Sequence, residues 1–167
     1  MMQRCFVALG SNQADPVAQV RKAFGELETL PQSHLRACSA LYRSAPLGPQ
    51  DQPAFINAVA MLDTQLAPEA LLDALQAIEQ RSGRVRKAER WGPRILDLDL
   101  LLYGDQRIDL PRLQVPHYHM HARSFVLYPL AELAADLTLP DGTPLQQLLA
   151  ACPPTDLERL PDTAGQG

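Results

Sequence analysis

Ile95-Leu96-Asp97-Leu98-Asp99-Leu100-Leu101-Leu102-Tyr103 is the stretch whose reading decides the fold. Its opening alternation puts Asp97 and Asp99 on one face of a strand and Leu98 and Leu100 on the other. Gly104-Asp105 then closes it as a turn. Working backward, Pro68 to Ser82 reads as a helix with a stripe of Leu71, Leu72, Leu75 and Ile78, stopped by Gly83. Before it, Phe55 to Asp63 and Leu35 to Ser44 read as two further strands. The segment joining them, Ala45 to Pro53, holds three prolines, so neither helix nor inner strand survives there and it is a stiff loop. Cys5 to Leu9 is a buried strand closed by Gly10-Ser11-Asn12. Asp15-Pro16 opens a helix with an N-cap carboxylate followed by proline, and Val17, Val20, Phe24 and Leu27 form its apolar face. The order β-α-β-β-α-β predicts a ferredoxin-like α+β sandwich, an antiparallel sheet with both helices packed on one face.

Beyond the deciding strand, a proline-punctuated stretch runs to Pro116. A helical region follows around Ala122 to Ala134, then a short helix near Leu145 to Ala151. With 167 residues the chain suits one domain, expected over 1–152. The polar, Pro/Gly-rich residues 153–167 are expected to form a frayed tail. Cys5, Cys38 and Cys152 are far apart, odd in number and lack CxxC spacing, which fits thiols in a reducing compartment rather than a disulfide framework or zinc site. No apolar run approaches the ~18 residues of a membrane span, and the N-terminus lacks a signal-peptide pattern. A cytoplasmic protein without membrane association, and a monomer, is expected.

The net charge is −4, from 15 Lys+Arg against 19 Asp+Glu, which argues against a broad nucleic-acid-binding face. The local charge differs. Between Arg84 and Arg94, five of eleven residues are cationic and one is anionic, and the only tryptophan, Trp91, lies among them. That segment feeds directly into Asp97 and Asp99. Such a run can be a solvated loop, and such a pair ordinary polar alternation on a half-exposed strand. Cations, an aromatic plane and two carboxylates within sixteen residues also resemble the parts needed to hold a nucleotide polyphosphate with magnesium. No GxxxxGK[ST] loop is present, so side chains must carry the phosphate charge: Arg84, Arg86, Lys87, Arg94 and, further along, Arg112 and Arg123. Arg81, Arg90 and Arg107 read as surface charge.

Three other features carry possible chemistry. Glu79 falls inside the apolar helix stripe, either as an edge residue reaching to water or as a buried acceptor awaiting a donor. Phe55 and Asn57 share a strand face beside the stiff loop, an arrangement suited to stacking and hydrogen-bonding a planar heterocycle or simply to a core edge. His117-Tyr118-His119-Met120-His121 invites a zinc reading, but Pro116 before it and a helix after it favour a single phosphate donor at His117.

The segments Gly10-Ser11-Asn12, Pro46 to Pro53, Gly83 to Arg94, Leu96 to Asp99 and Val115 to Tyr118 together resemble the 6-hydroxymethyl-7,8-dihydropterin pyrophosphokinase family, from about Phe6 to Ala150. The resemblance implies a ferredoxin-like fold and transfer of pyrophosphate from ATP to the pterin hydroxymethyl group, with AMP released, in folate biosynthesis. It implies two Mg2+ ions on Asp97 and Asp99, with Arg84 and Arg94 also catalytic. ATP would meet Glu79, Arg84, Arg94, Arg112, His117, Tyr118 and Arg123, and Arg86, Lys87 and Trp91 would lie on a loop closing over it. Phe55 and Phe125 would sandwich the pterin, hydrogen-bonded by Asn57 and by backbone groups of Ser44, Ala45 and Leu47. Phe55, Ser44, Ala45 and Gln114 depart from the Tyr, Thr, Pro and hydroxyl residue expected there. His119 and His121 match no family position. The partners implied are small molecules, not nucleic acid. The rival readings are a non-catalytic RNA-binding module and a kinase that moves one phosphate.

Overall fold

The computed structural model describes residues 2–12, 15–44, 54–81, 96–117, 120, 123–154 and 157–161. Strand β1 (Gln3–Ser11), helix α1 (Pro16–Glu28), strands β2 (Ser33–Cys38), β3 (Tyr42–Ser44) and β4 (Phe55–Thr64), helix α2 (Pro68–Arg81) and strand β5 (Asp97–Tyr103) follow in that order. A hairpin of β6 (Ile108–Leu110) and β7 (Leu113–Val115), helices α3 (Ser124–Leu133) and α4 (Leu145–Ala150), and strand β8 (Leu157–Arg159) complete the described chain. The main sheet runs β5-β1-β4 and then β3-β8, with β2 also on β4, and all its pairs are antiparallel. This is the expected ferredoxin-like order.

Strand alternation gives the sheet two apolar faces. Cys5, Val7 and Leu9 of β1, Ala58, Ala60 and Leu62 of β4, and Leu98 and Leu100 of β5 form one core with Val20 and Leu27 of α1 and Leu71, Leu75 and Ile78 of α2. Asp15 caps α1 as expected, accepting the Ala18 N–H. The intervening residues Phe6, Val59, Leu101 and Leu102 form a second core with Val126, Leu127 and Leu130 of α3 and Leu145 of α4. The molecule therefore has three layers, because an apolar second face must also be covered. The expected pair of helices on one face is present, and α3 and α4 are added opposite.

Three strand expectations change. Leu35 to Ser44 is two strands, because the chain breaks at Ser39–Leu41. There Ser39 N–H donates to Val59 O, while Ser39 Oγ accepts from Val59 N–H, both at 2.9 Å. A side-chain oxygen has replaced a ladder carbonyl. In β5, Val7 pairs with Leu100 and Phe6 with Leu102, leaving Leu101 as a bulge whose carbonyl accepts from His117 N–H at 3.1 Å. The tail expected to fray from 153 instead contributes β8, paired to β3 through Tyr42–Arg159, Arg43–Glu158 and Ser44–Leu157.

At one end of the sheet Asp63 of β4 accepts from Arg4 of β1 and Arg36 of β2, each at 2.8 Å. The Arg4 hydrogen bond above all, with Arg36, lowers the Asp63 carboxyl to about 2 against the opposing effect of burial. The chemistry gathers at the other end.

Candidate active site

Gly10 pairs with Asn57 on one side and with Asp97 on the other, and directly paired residues present side chains on the same face. Asn57 and Asp97 therefore stand two strands apart, about 10 Å, over a residue with no side chain. One row further, Ala8 lies between Val59 and Asp99. The result is a floor of Gly10 and Ala8 with Asp97 and Asp99 along one side and Asn57 on the other, on the α3 face of the sheet. Gly10 keeps that floor low: a Cβ there would lie 3.4 Å from Asn57 Oδ1. Asn57 is buried and donates through Nδ2 to Ser44 Oγ at 2.7 Å, so a serine side chain, and not only backbone, orients it. Phe55 is half-buried and pairs with Ser44, and Phe125 packs at the edge of the α3 core. Arg123 holds its guanidinium 5.6 Å from the centre of the Phe125 ring, a cation–π contact.

The second part of the site is a cleft of about 640 Å3 along the outer edge of β5, between α2 and the β6–β7 hairpin. That is ordinary for a small-molecule pocket, ~300–1,000 Å3. Leu72, Leu98, Leu100 and Leu113 give it apolar walls, and Gln76, Glu79, Asp99, Arg112, Gln114 and His117 line it with polar groups. Asp99 thus belongs to both parts. Glu79, 3% exposed, accepts the Leu98 N–H at 2.7 Å. Of the two readings of Glu79 left open above, the buried acceptor is correct. Its donor is a backbone N–H on an unpaired strand edge, a group no helix periodicity reveals. Arg112 is held at the rim by Asp73 and by Gln76 of α2. His117 is anchored by the β5 bulge.

The structure thus gathers Glu79, Asp99, Arg112 and His117 at the cleft, and Ser44, Phe55, Asn57 and Asp97 at the floor. Arg123 stands at Phe125 rather than on the cleft wall. Ala45, Leu47, Arg84, Arg86, Lys87, Trp91, Arg94, Tyr118, His119 and His121 lie outside the described residues. Sequence reasoning missed Gly10 as a floor, the Ser44 hydroxyl, Gln76 and Asp73. The signal available was position on α2: Gln76 lies three residues, and Asp73 six, before Glu79.

Asp97 and Asp99 suit a hard divalent cation. They are oxygen donors two residues apart, half-buried and exposed respectively, over a floor of small residues. Among the described residues no cluster of three or more His, Cys, Asp or Glu completes a metal cage. Phosphate oxygens and water would supply the remaining ligands, as Mg2+ prefers.

An antiparallel α+β sheet with a two-part, small-molecule site at one end defines the class of protein. Its sequence gives the family. Residues 6–135 match the family model described as 7,8-dihydro-6-hydroxymethylpterin-pyrophosphokinase (HPPK), and the chain belongs to that family. It is 65% identical over 161 residues to the 2-amino-4-hydroxy-6-hydroxymethyldihydropteridine pyrophosphokinase of Pseudomonas aeruginosa, covering 96% of this chain and 99% of that one. It is 50% identical over 148 residues to the protein of that name from Haemophilus influenzae, covering 89% and 92%. Among solved structures, an HPPK-DHPS protein of Plasmodium falciparum shares the fold with a TM-score of 0.71 at 12% identity. The match covers 90% of this chain and 45% of that longer one. The protein transfers pyrophosphate to hydroxymethyldihydropterin in folate biosynthesis, and the reading as a non-catalytic module is set aside.

Proposed function

We propose that ATP is the donor and occupies the cleft, and that the pterin lies on the Gly10–Ala8 floor. Pyrophosphate would then pass across Asp97 and Asp99. The observation that carries this reading is the position of Asp99, which faces the floor beside Ala8 and also lines the cleft. The leucine walls suit a nucleobase, and Arg112 and His117 present donors to phosphate. Asn57, oriented by Ser44, hydrogen-bonds the heterocycle while Phe55 and Phe125 stack on it. Asp97 and Asp99 would hold two Mg2+ ions. When bound, these would lower the pKa of the attacking hydroxyl and offset charge on the phosphate oxygens.

The side chains then do the rest. The pterin hydroxyl attacks the β-phosphorus in line and AMP leaves, with Arg112, Arg123, His117 and the loop cations Arg84, Arg86, Lys87 and Arg94 balancing the charge. Trp91 and Tyr118 contribute to ATP binding, and backbone groups of Ala45 and Leu47 to pterin binding, in keeping with the family resemblance. The protein is taken to work as a monomer in the cytoplasm, in keeping with the sequence reading. Its three cysteines are free, and among the described residues no helix is long and apolar enough to cross a membrane. Turnover of ATP, Mg2+ and hydroxymethyldihydropterin is expected to yield AMP and the pterin diphosphate. Stoichiometric ADP instead would overturn attack at the β-phosphorus.

A further inference from the structure

The pterin side of the site rests on a very short strand. β3 has three residues, follows the break at Ser39–Leu41, and carries both Tyr42, which pairs with Asn57, and Ser44, which accepts from Asn57 Nδ2. Two further elements hold β3 from outside the site. β8 pairs along its outer edge, and Leu160 N–H donates to Leu41 O at 2.8 Å. Glu132, near the end of α3, accepts from Ala40 N–H at 2.7 Å, Tyr42 OH at 2.7 Å and Arg159 Nε of β8 at 3.1 Å. One carboxylate thus ties β3, α3 and β8 together. Phe125 lies seven residues before Glu132 on the same helix, two turns and therefore the same face. The group that fixes β3 also fixes the helix bearing Phe125.

We propose that Glu132, with Arg159 of β8, is a positioning residue for pterin binding: it sets the Ser44–Asn57 pair on one side of the pocket and Phe125 on the other. The proposal rests on the placement of the pterin given above. Neither residue lines the nucleotide cleft, so the effect should be confined to one substrate.

The test is steady-state kinetics of full-length Glu132→Leu, Arg159→Ala, Arg159→Lys and Asn57→Ala, varying each substrate in turn. Loss of the three bonds in Glu132→Leu should raise KM for hydroxymethyldihydropterin about tenfold, on the scale of one or two lost hydrogen bonds. Arg159→Ala should raise it about threefold, with Arg159→Lys recovering most of the loss. KM for ATP and kcat per folded enzyme should stay within about twofold. A fall in folded protein with both KM values unchanged would show a purely structural role and overturn the proposal. Equal increases in both KM values would also overturn it. Should Glu132→Leu fail to fold, Arg159→Ala, whose side chain is 57% exposed, carries the same readout. Asn57→Ala separates the two layers of the argument. An unchanged pterin KM there overturns the pterin placement and the proposal with it. An increase there without one in the Glu132 and Arg159 variants overturns the proposal alone.

Discussion

Asp97 and Asp99 stand beside Gly10 and Ala8, residues too small to raise the floor next to either carboxylate. Asp97→Ala removes a half-buried strand-end carboxylate and no part of either core. Turnover should fall by about 10³-fold or more, the scale of lost metal-assisted charge stabilisation, with little change in melting temperature. Near-normal turnover in that variant would end the metal assignment. This pair was legible in sequence because strand alternation places i and i+2 together whatever the tertiary structure. Asn57 was legible in the same way, but its Ser44 partner lies across a strand pair whose register only the fold supplies. Gly10 was quoted as part of a turn, and its role depends on neighbours from β4 and β5.

At the scale of elements, the outer edge of β5 is where sheet and cleft meet. The Leu98 N–H points away from β1 and is taken by Glu79 of α2. Glu79→Ala would leave that buried donor unsatisfied, which costs about 1–3 kcal/mol. Glu79→Gln keeps an acceptor oxygen and should recover most of that. Urea unfolding of the two variants checks this, and equal stability would mean the bond contributes nothing. The β-α-β-β-α-β order was readable because each element has its own hydrophobic period and its own stops. The break at Ser39 and the bulge at Leu101 were not, since both arise from hydrogen bonds to chain distant in sequence. The face covered by α3 and α4 follows from the apolar residues at Phe6, Val59 and Leu102, which a two-layer reading leaves exposed.

Across the whole molecule the sheet is stapled by charge at one end and open to ligands at the other. Asp63, lowered to about 2 by Arg4 and Arg36, binds protons more readily in the unfolded chain than in the folded one. Its contribution is therefore complete above the unfolded carboxylate range near pH 4 and is lost as pH falls through about 2. Its arginine partners are half exposed, so solvent screening keeps the contribution to about 1–2 kcal/mol. In chemical denaturation from pH 5 to pH 2, the stability gap between the natural protein and Asp63→Asn should narrow as pH falls. A gap constant across that range would show that the pair is not titrating. The average charge of −4 conceals one local exception, the cationic 84–94 segment, on which the proposed phosphate binding draws.

The C-terminal strand also gives the site a schedule. The β4–β1–β5 floor can form once Tyr103 has been synthesised, but the outer support of β3 waits for Leu157 to Leu160. At about 5–20 residues per second, the nascent chain spends several seconds between those points. During that interval the floor bearing Asp97 and Asp99 can be in place while the β3 wall beside it still lacks its last strand. On the proposed placement of the two substrates, the enzyme acquires its choice of acceptor later than its carboxylate-lined floor.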